Sequence, residues 1–421
     1  MVRKIALPSV ELLSAILAGC GSLDRPREAR DVGVSDVRLK HLSAEVASNV
    51  QRGLIPGAVI LVARDGKIVY SDAVGVQDPK SGAAMRPDAI FRLKSMTKPI
   101  VSVGIMMLVE EGRILLSDPA SDYFPELKDQ KVGIGKKNAD GSTAIEEGAA
   151  SRQMTIQDLL RQTSGYPGYF TKPPVKQKYL DSRVDSDPNQ TLAEYVSRVA
   201  KLPLAYQPGT TWDYSAGTNI LGAIIERVSG QTIDAFLSEK ILRPLGMKDT
   251  GFWVDTAEQG RIAEPLAVDP GTKLPAQALD VRHPPRFLCA DACMVSTASD
   301  YYRFAQMLLN GGQLDGVRIL SRKSVEYMTA DQLGSGINQG PFYMPGPGYG
   351  FGLGFQVRTA LGEAAAPGSV GEYSWFGADG TFFFVDPKER LVGIYMMARL
   401  NPFAGPKFWR QFRTGVYSAI D

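Results

Sequence analysis

Apolar positions along the chain change period several times, and each change marks an element. In "VRLKHLSAEVASNVQRG" (37–53) they recur at helical spacing, which predicts an amphipathic helix. "GAVILVARDGKIVYSDAVG" (57–75) is instead two β-rich runs about Asp65-Gly66, the pairing that closes a hairpin. "FRLKSMTKPIVSVGIMMLVEEGRI" (91–114) predicts a second helix, in which Ile100, Val103, Ile105, Met106, Met107, Leu108 and Val109 are too many for one stripe. That helix is expected to be buried nearly all round. From about 120 to 290 the chain reads as loops with helical pieces, among them "TIQDLLRQTSGYPGY" and "TNILGAIIERVSGQTIDAFLSEKIL"; "STASDYYRFAQMLLNGG" continues in helix. The C-terminal stretch returns to strands, with "YGFGLGFQV" (349–357) as one and "GTFFFVDPKERLVGIYMMARL" (380–400) as a pair turned at 386–388, before "PKFWRQFRTGVYSAI" closes as a helix.

Strands at both ends that bracket a helical middle predict an α/β (α+β) fold. One antiparallel sheet is built from N- and C-terminal segments and flanked by helices, a helical lobe is inserted between them, and a cleft lies where the two meet. The expected division is a discontinuous sheet domain, 21–120 with 291–421, and a mainly helical lobe, 121–290. No internal repeat or low-complexity tract interrupts it.

Composition narrows the function classes. Hydrophobic residues at 44% and charged residues at 22% exclude a disordered chain and a multi-span membrane protein. With 47 basic against 45 acidic residues and no long basic run, nucleic acid is not an expected partner. Cys20, Cys289 and Cys293 form neither a CxxC pair nor a Cys/His cluster, so a structural zinc site is not expected; no other metal and no cofactor are expected either. Cys289 and Cys293 read as two small buried apolar residues near a helix start, in preference to a disulfide. In the first 20 residues, Arg3 and Lys4 precede an apolar stretch and Leu17-Ala18-Gly19-Cys20, the pattern of an export signal with a lipidated cysteine. Pro8 and Glu11 fit an ordinary amphipathic segment instead. The first reading places the protein in a bacterial periplasm or tethers it to a membrane through Cys20, and the second leaves it cytoplasmic.

The chemistry centres on Ser95 and Lys98. Proline is tolerated only near the first turn of a helix, so Pro99 sets the helix start close to Ser95 and puts Ser95 and Lys98 on one face. A serine hydroxyl needs a base, and a lysine whose charge is disfavoured by burial or by neighbours such as Lys94 can serve. Alone, the same tetrapeptide also describes a capping serine and a solvating lysine. G-x-S-x-G, H-E-x-x-H and the G-x-x-x-x-G-K-[ST] phosphate loop are all absent. His41 and His283 read as surface or packing residues. Tyr214, in "WDYSAGTNIL", stands at a helix start from which its hydroxyl can exchange a proton, or it packs. Trp375-Phe376-Gly377-Ala378 leads into an apolar strand, where glycine marks close approach and a strand edge can aim an N–H at an oxyanion.

In this order S-x-x-K (95–98), Tyr-Ser-x (214–216) and Trp-x-Gly (375–377) resemble the serine β-lactamase and penicillin-binding-protein superfamily. The class C-like esterase branch, the family VIII carboxylesterases, is the most similar. "IQDLLRQTSGYP", "PLGMKDTGF" and "YGFGLGF" extend the resemblance across about residues 40–415. It implies a β-lactamase/transpeptidase-like fold, Ser95 as the acylated nucleophile, Lys98 as its activating partner, and Tyr214 as general base and acid. The N–H groups of Ser95 and Ala378 would form the oxyanion hole, with Trp375 and Gly377 beside it. Tyr123 and Tyr169 or Phe170 line the cleft or merely pack. How Lys98 and Tyr214 divide the proton stays open. Two departures bear on substrate: Trp375 replaces the lysine of the usual Lys-Thr-Gly, and Ala216 replaces an asparagine. Both favour a neutral ester, expected to carry a short acyl chain, with weak β-lactam hydrolysis. β-Lactamase or D-Ala-D-Ala carboxypeptidase, acyltransferase and non-catalytic ligand-binding readings stand as alternatives.

Overall fold

The computed structural model describes residues 29–421 apart from 142, 402 and 404. The segment read as a signal, with Cys20, lies outside the described residues. Helix α1 (Asp36–Gln51) leads into the hairpin of β1 (Gly57–Arg64) and β2 (Lys67–Asp78), the short β3 (Ala83–Ala84) and the central helix α2 (Thr97–Glu110). A hairpin follows, β4 (Lys131–Lys137) with β5 (Thr143–Ala149), then helices α3 (Ile156–Leu160), α4 (Leu192–Val199) and α5 (Thr218–Ser229). Helix α6 (Ala298–Leu309) precedes β6 (Tyr349–Phe351), β7 (Gln356–Arg358), β8 (Tyr373–Phe376), β9 (Phe382–Asp386), β10 (Leu391–Met397) and the closing helix α7 (Gly405–Ser418).

One sheet runs β6-β7-β8-β9-β10-β1-β2-β3, antiparallel throughout. The N-terminal strand β1 therefore lies against the late strand β10, with Ala58 opposite Met397 and Arg64 opposite Leu391. Both faces of the sheet are covered, which is why "GAVILVA" is continuously apolar rather than alternating. Val59, Leu61 and Ala63 face the main core with α2 and α6. Ala58, Ile60 and Val62 face a second cluster made by Leu39, Leu42 and Val46 of α1 and by Phe408, Trp409 and Phe412 of α7. Helix α2 is buried on almost every side, from Thr97 through Met106.

Four expectations are corrected. "YGFGLGFQV" is a hairpin rather than one strand: Gly354 sits at φ +98, and a side chain there would strike Ser102 of α2, so the chain must turn over that helix. Helix α3 stops at Leu160, and Gln162, at φ 62, begins the loop that the sequence suggested was helical. The hairpin of β4 and β5 is unreadable in the sequence because most of its residues face solvent and leave no apolar alternation. Cys289 and Cys293 are joined in a disulfide: the Cys293 N–H donates to the Cys289 carbonyl at 3.2 Å, and this turn draws their Cα atoms to 5.2 Å, within bridging range. Among the described residues no helix is long and apolar enough to cross a membrane.

Candidate active site

Ser95 lies in a single 3₁₀ turn, Lys94–Met96, that runs directly into α2 and leaves Lys98 one turn further on. Ser95 keeps partial access to solvent while Met96, Thr97 and Lys98 are buried. The turn is held from several sides. The Leu93 N–H donates to the Met294 carbonyl (2.8 Å), the Tyr301 hydroxyl to the Met96 carbonyl (2.9 Å), and the Thr381 hydroxyl to the Leu93 carbonyl (3.0 Å). Lys94 sits at φ 48, a left-handed conformation that L side chains rarely adopt. Such strain persists only where the surroundings over-determine it.

The end of β8 reaches the same turn. A Cβ on Gly377 would overlap the Leu93 carbonyl oxygen, so glycine is what lets this strand approach the backbone before Ser95. Residues 377–381 then reverse tightly into β9, with the Gly377 N–H on the Thr381 carbonyl (2.8 Å) and Ala378 at the head of the turn. Its neighbour Asp379 is buried, its Oδ2 has no hydrogen-bond donor among the described residues, and Lys94 Nζ stands 4.0 Å away. Burial pushes that carboxyl up to about 6, against the opposing pull of Lys94 and Arg92.

Tyr214 is clasped by Gln162. The Asp213 N–H donates to the Gln162 carbonyl and the Ser215 N–H to its side-chain Oε1, both at 3.0 Å. The Tyr169 N–H donates to the Tyr214 carbonyl (2.8 Å). Asp213 in turn accepts from the Gly168 N–H (2.8 Å) and the Thr171 hydroxyl (2.7 Å), which fixes the loop bearing Tyr169. The tyrosine ring is boxed by Tyr169, Trp212 and Trp375, and the buried indole N–H of Trp375 donates to the Tyr214 hydroxyl oxygen at 3.2 Å. Lys98 Nζ stands 4.7 Å from the Tyr214 ring centroid and 5.4 Å from that of Tyr169.

Lys98 thus meets Tyr214, Tyr169 and, through Tyr214, Trp375. Its ammonium also donates to the Asp291 carbonyl (3.0 Å) and lies 3.7 Å from the Asp291 carboxylate. Burial, then the nearby Asp291, holds the Tyr169 hydroxyl well above the usual phenol range. Tyr123 is engaged within its own loop, where its hydroxyl donates to Asp118 at 2.6 Å; burial and that carboxylate push it up. Sequence reasoning missed Gln162 and Asp291. No apolar period marks Gln162. The cysteine pair around Asp291 is a signal, but from the sequence it reads as packing rather than as a tether. Among the described residues no group of three or more His, Cys, Asp or Glu side chains could hold a metal.

Residues 42–414 match the family model described as Beta-lactamase. Protein Rv1367c of Mycobacterium tuberculosis is 34% identical over 84% of this chain and 88% of its own length. Esterase EstB of Burkholderia gladioli is 32% identical, over 82% and 86% respectively. The solved structure of EstCE1, described as a hydrolase with promiscuous acyltransferase activity, is similar at a TM-score of 0.73 and 25% identity, over 91% of this chain and 99% of that one.

Proposed function

The chain belongs to the β-lactamase family of serine hydrolases, and from that premise we propose that it cleaves carboxylic esters through a covalent acyl-enzyme on Ser95. Ser95 Oγ attacks the ester carbonyl while its proton passes to the Lys98–Tyr214 pair. The carbonyl oxygen, now negative, faces the N–H groups of Ser95 and Ala378. The proton returns to the departing alkoxide, which leaves as the alcohol. Water then repeats the sequence on the acyl-serine and releases the acid. Tyr169 and Trp375 wall the reacting centre.

The observation that carries the ester reading is Trp375: a neutral indole N–H, not an ammonium, donates to Tyr214 at 3.2 Å. A substrate carboxylate finds no cation at that position, and Ala216 offers no amide for a substrate side chain. A neutral ester needs neither. EstB, named an esterase, supports the same substrate class. The promiscuous acyltransferase activity ascribed to EstCE1 supports a second reading, in which an added alcohol replaces water as the acyl acceptor.

Intact-mass measurement after exposure to a fluorophosphonate is expected to show one adduct on the wild type and none on Ser95→Ala. Tyr214→Phe is expected to lower kcat on a short-chain nitrophenyl ester by about 10²- to 10⁴-fold. The wild type is expected to turn over that ester faster than a chromogenic cephalosporin. Equal labelling of wild type and Ser95→Ala would overturn the assignment.

A further inference from the structure

We propose that Asp291, gripped by the Cys289–Cys293 bridge, is a positioning residue that holds Lys98 against the Tyr214 ring, in the place from which the Lys98–Tyr214 pair takes up the Ser95 proton. This rests on the reading of Ser95, Lys98 and Tyr214 given above and deepens it.

Lys98 is buried, with 3% of its side chain exposed, and its Nζ is met by Asp291 and by two tyrosine rings. The Asp291 carbonyl accepts its hydrogen bond at 3.0 Å, the Asp291 carboxylate lies at 3.7 Å, and the faces of Tyr214 and Tyr169 stand at 4.7 and 5.4 Å. One residue thus supplies both the oxygen that aims the ammonium and the negative charge that balances it. The Tyr214 oxygen accepts from the Trp375 N–H, which fixes the position of the other member of the pair.

Asp291 is held unusually firmly for a residue between helices. It sits in the middle of the five-residue ring that the disulfide closes, and its own N–H donates to Asn219 Oδ1 (3.2 Å) on α5, the helix that follows Tyr214. Its Oδ2 also accepts from the Tyr169 hydroxyl, while the Tyr169 N–H holds the Tyr214 carbonyl. Asp291, Tyr169, Tyr214 and Lys98 therefore close a circuit in which moving the first displaces the last. The titratable groups that face Asp291 are Lys98 and Tyr169, with Asp185 and Tyr195 further off.

Asp291→Asn keeps the carbonyl and the shape but removes the charge, and Cys289→Ser/Cys293→Ser keeps the charge but opens the ring. Each is assayed on a nitrophenyl ester for kcat and KM and by the rate of fluorophosphonate uptake, with folding followed by circular dichroism. Asp291→Asn is expected to lower kcat and the uptake rate by about 10- to 100-fold with KM within about twofold, and the cysteine pair variant to lower kcat by about tenfold. A kcat for folded Asp291→Asn within about twofold of wild type overturns the proposal, as does a loss confined to KM. If Asp291→Asn does not fold, the cysteine variant decides by the same kcat criterion. A wild type that takes up no fluorophosphonate at Ser95 removes the ester-hydrolase reading itself, and this inference falls with it.

Discussion

At position 375 the side chain is wholly buried, yet its one polar atom is satisfied by the Tyr214 oxygen. The sequence permitted reading Trp375 only as an apolar surface, because whether an indole N–H meets an acceptor depends on which loop folds over it. The spacing of Ser95 and Lys98 was legible, since one helical turn is a local property. Asp291 was not, since its partner Lys98 is far away in sequence. Asp379 shows a different side of burial. Its folded-state value is pushed up to about 6 from an ordinary 3.8. Between these values the unfolded chain has released a proton that the folded chain retains, so stability falls as pH rises from about 4 to about 6 and this group adds no further change above that. Two pH units correspond to about 3 kcal/mol. The long contact to the part-exposed Lys94 offsets little of this. Asp379→Asn is expected to melt above the wild type at pH 7.5 and to converge with it at pH 4 in scanning calorimetry. A constant gap between the two across that range would show that burial of the charge is not the cause.

Among the elements, α3 has five residues, too few to be stable alone. Its cap holds it. Asp158, fully buried, pairs with Arg152 and Arg161, accepts from the Thr163 hydroxyl, and completes a reciprocal cap with Thr155. Those partners keep its carboxyl below the usual range despite burial. The helix delivers Gln162, which clasps Tyr214, so its stability bears on the site. Asp158→Asn is expected to cost about 2 to 3 kcal/mol in urea unfolding, below a fully buried pair because Arg152 is half in solvent. It should also lower kcat on a nitrophenyl ester; unchanged stability would show that the cap is dispensable. Elements with a buried face were legible: the hairpin at 57–78, the pair at 382–397 and the long helices. The exposed β4–β5 hairpin and the glycine-turned β6–β7 hairpin were not, because solvent exposure and close backbone approach leave no apolar period.

For the whole molecule, the sheet joins opposite ends of the chain, as strands at both ends suggested. Helix α7 completes it: Phe408, Trp409 and Phe412 cover the face shared with α1, and the Trp409 N–H donates to the Gly380 carbonyl (3.0 Å), on the turn that carries Ala378. A chain ended at residue 400 exposes that face and loses that tie. It is expected to yield no soluble protein with a cooperative melting transition and no ester turnover, and an active truncation would show that α7 only decorates the sheet.

Because β1 is flanked by β2 on one side and by the late strand β10 on the other, the first hairpin leaves the ribosome long before its second neighbour exists. For most of translation the nascent chain carries an apolar strand with one open edge, the kind of surface on which stalled polypeptides aggregate. Yield in a heterologous host should then follow the supply of trigger-type chaperones more closely than codon usage or inducer strength.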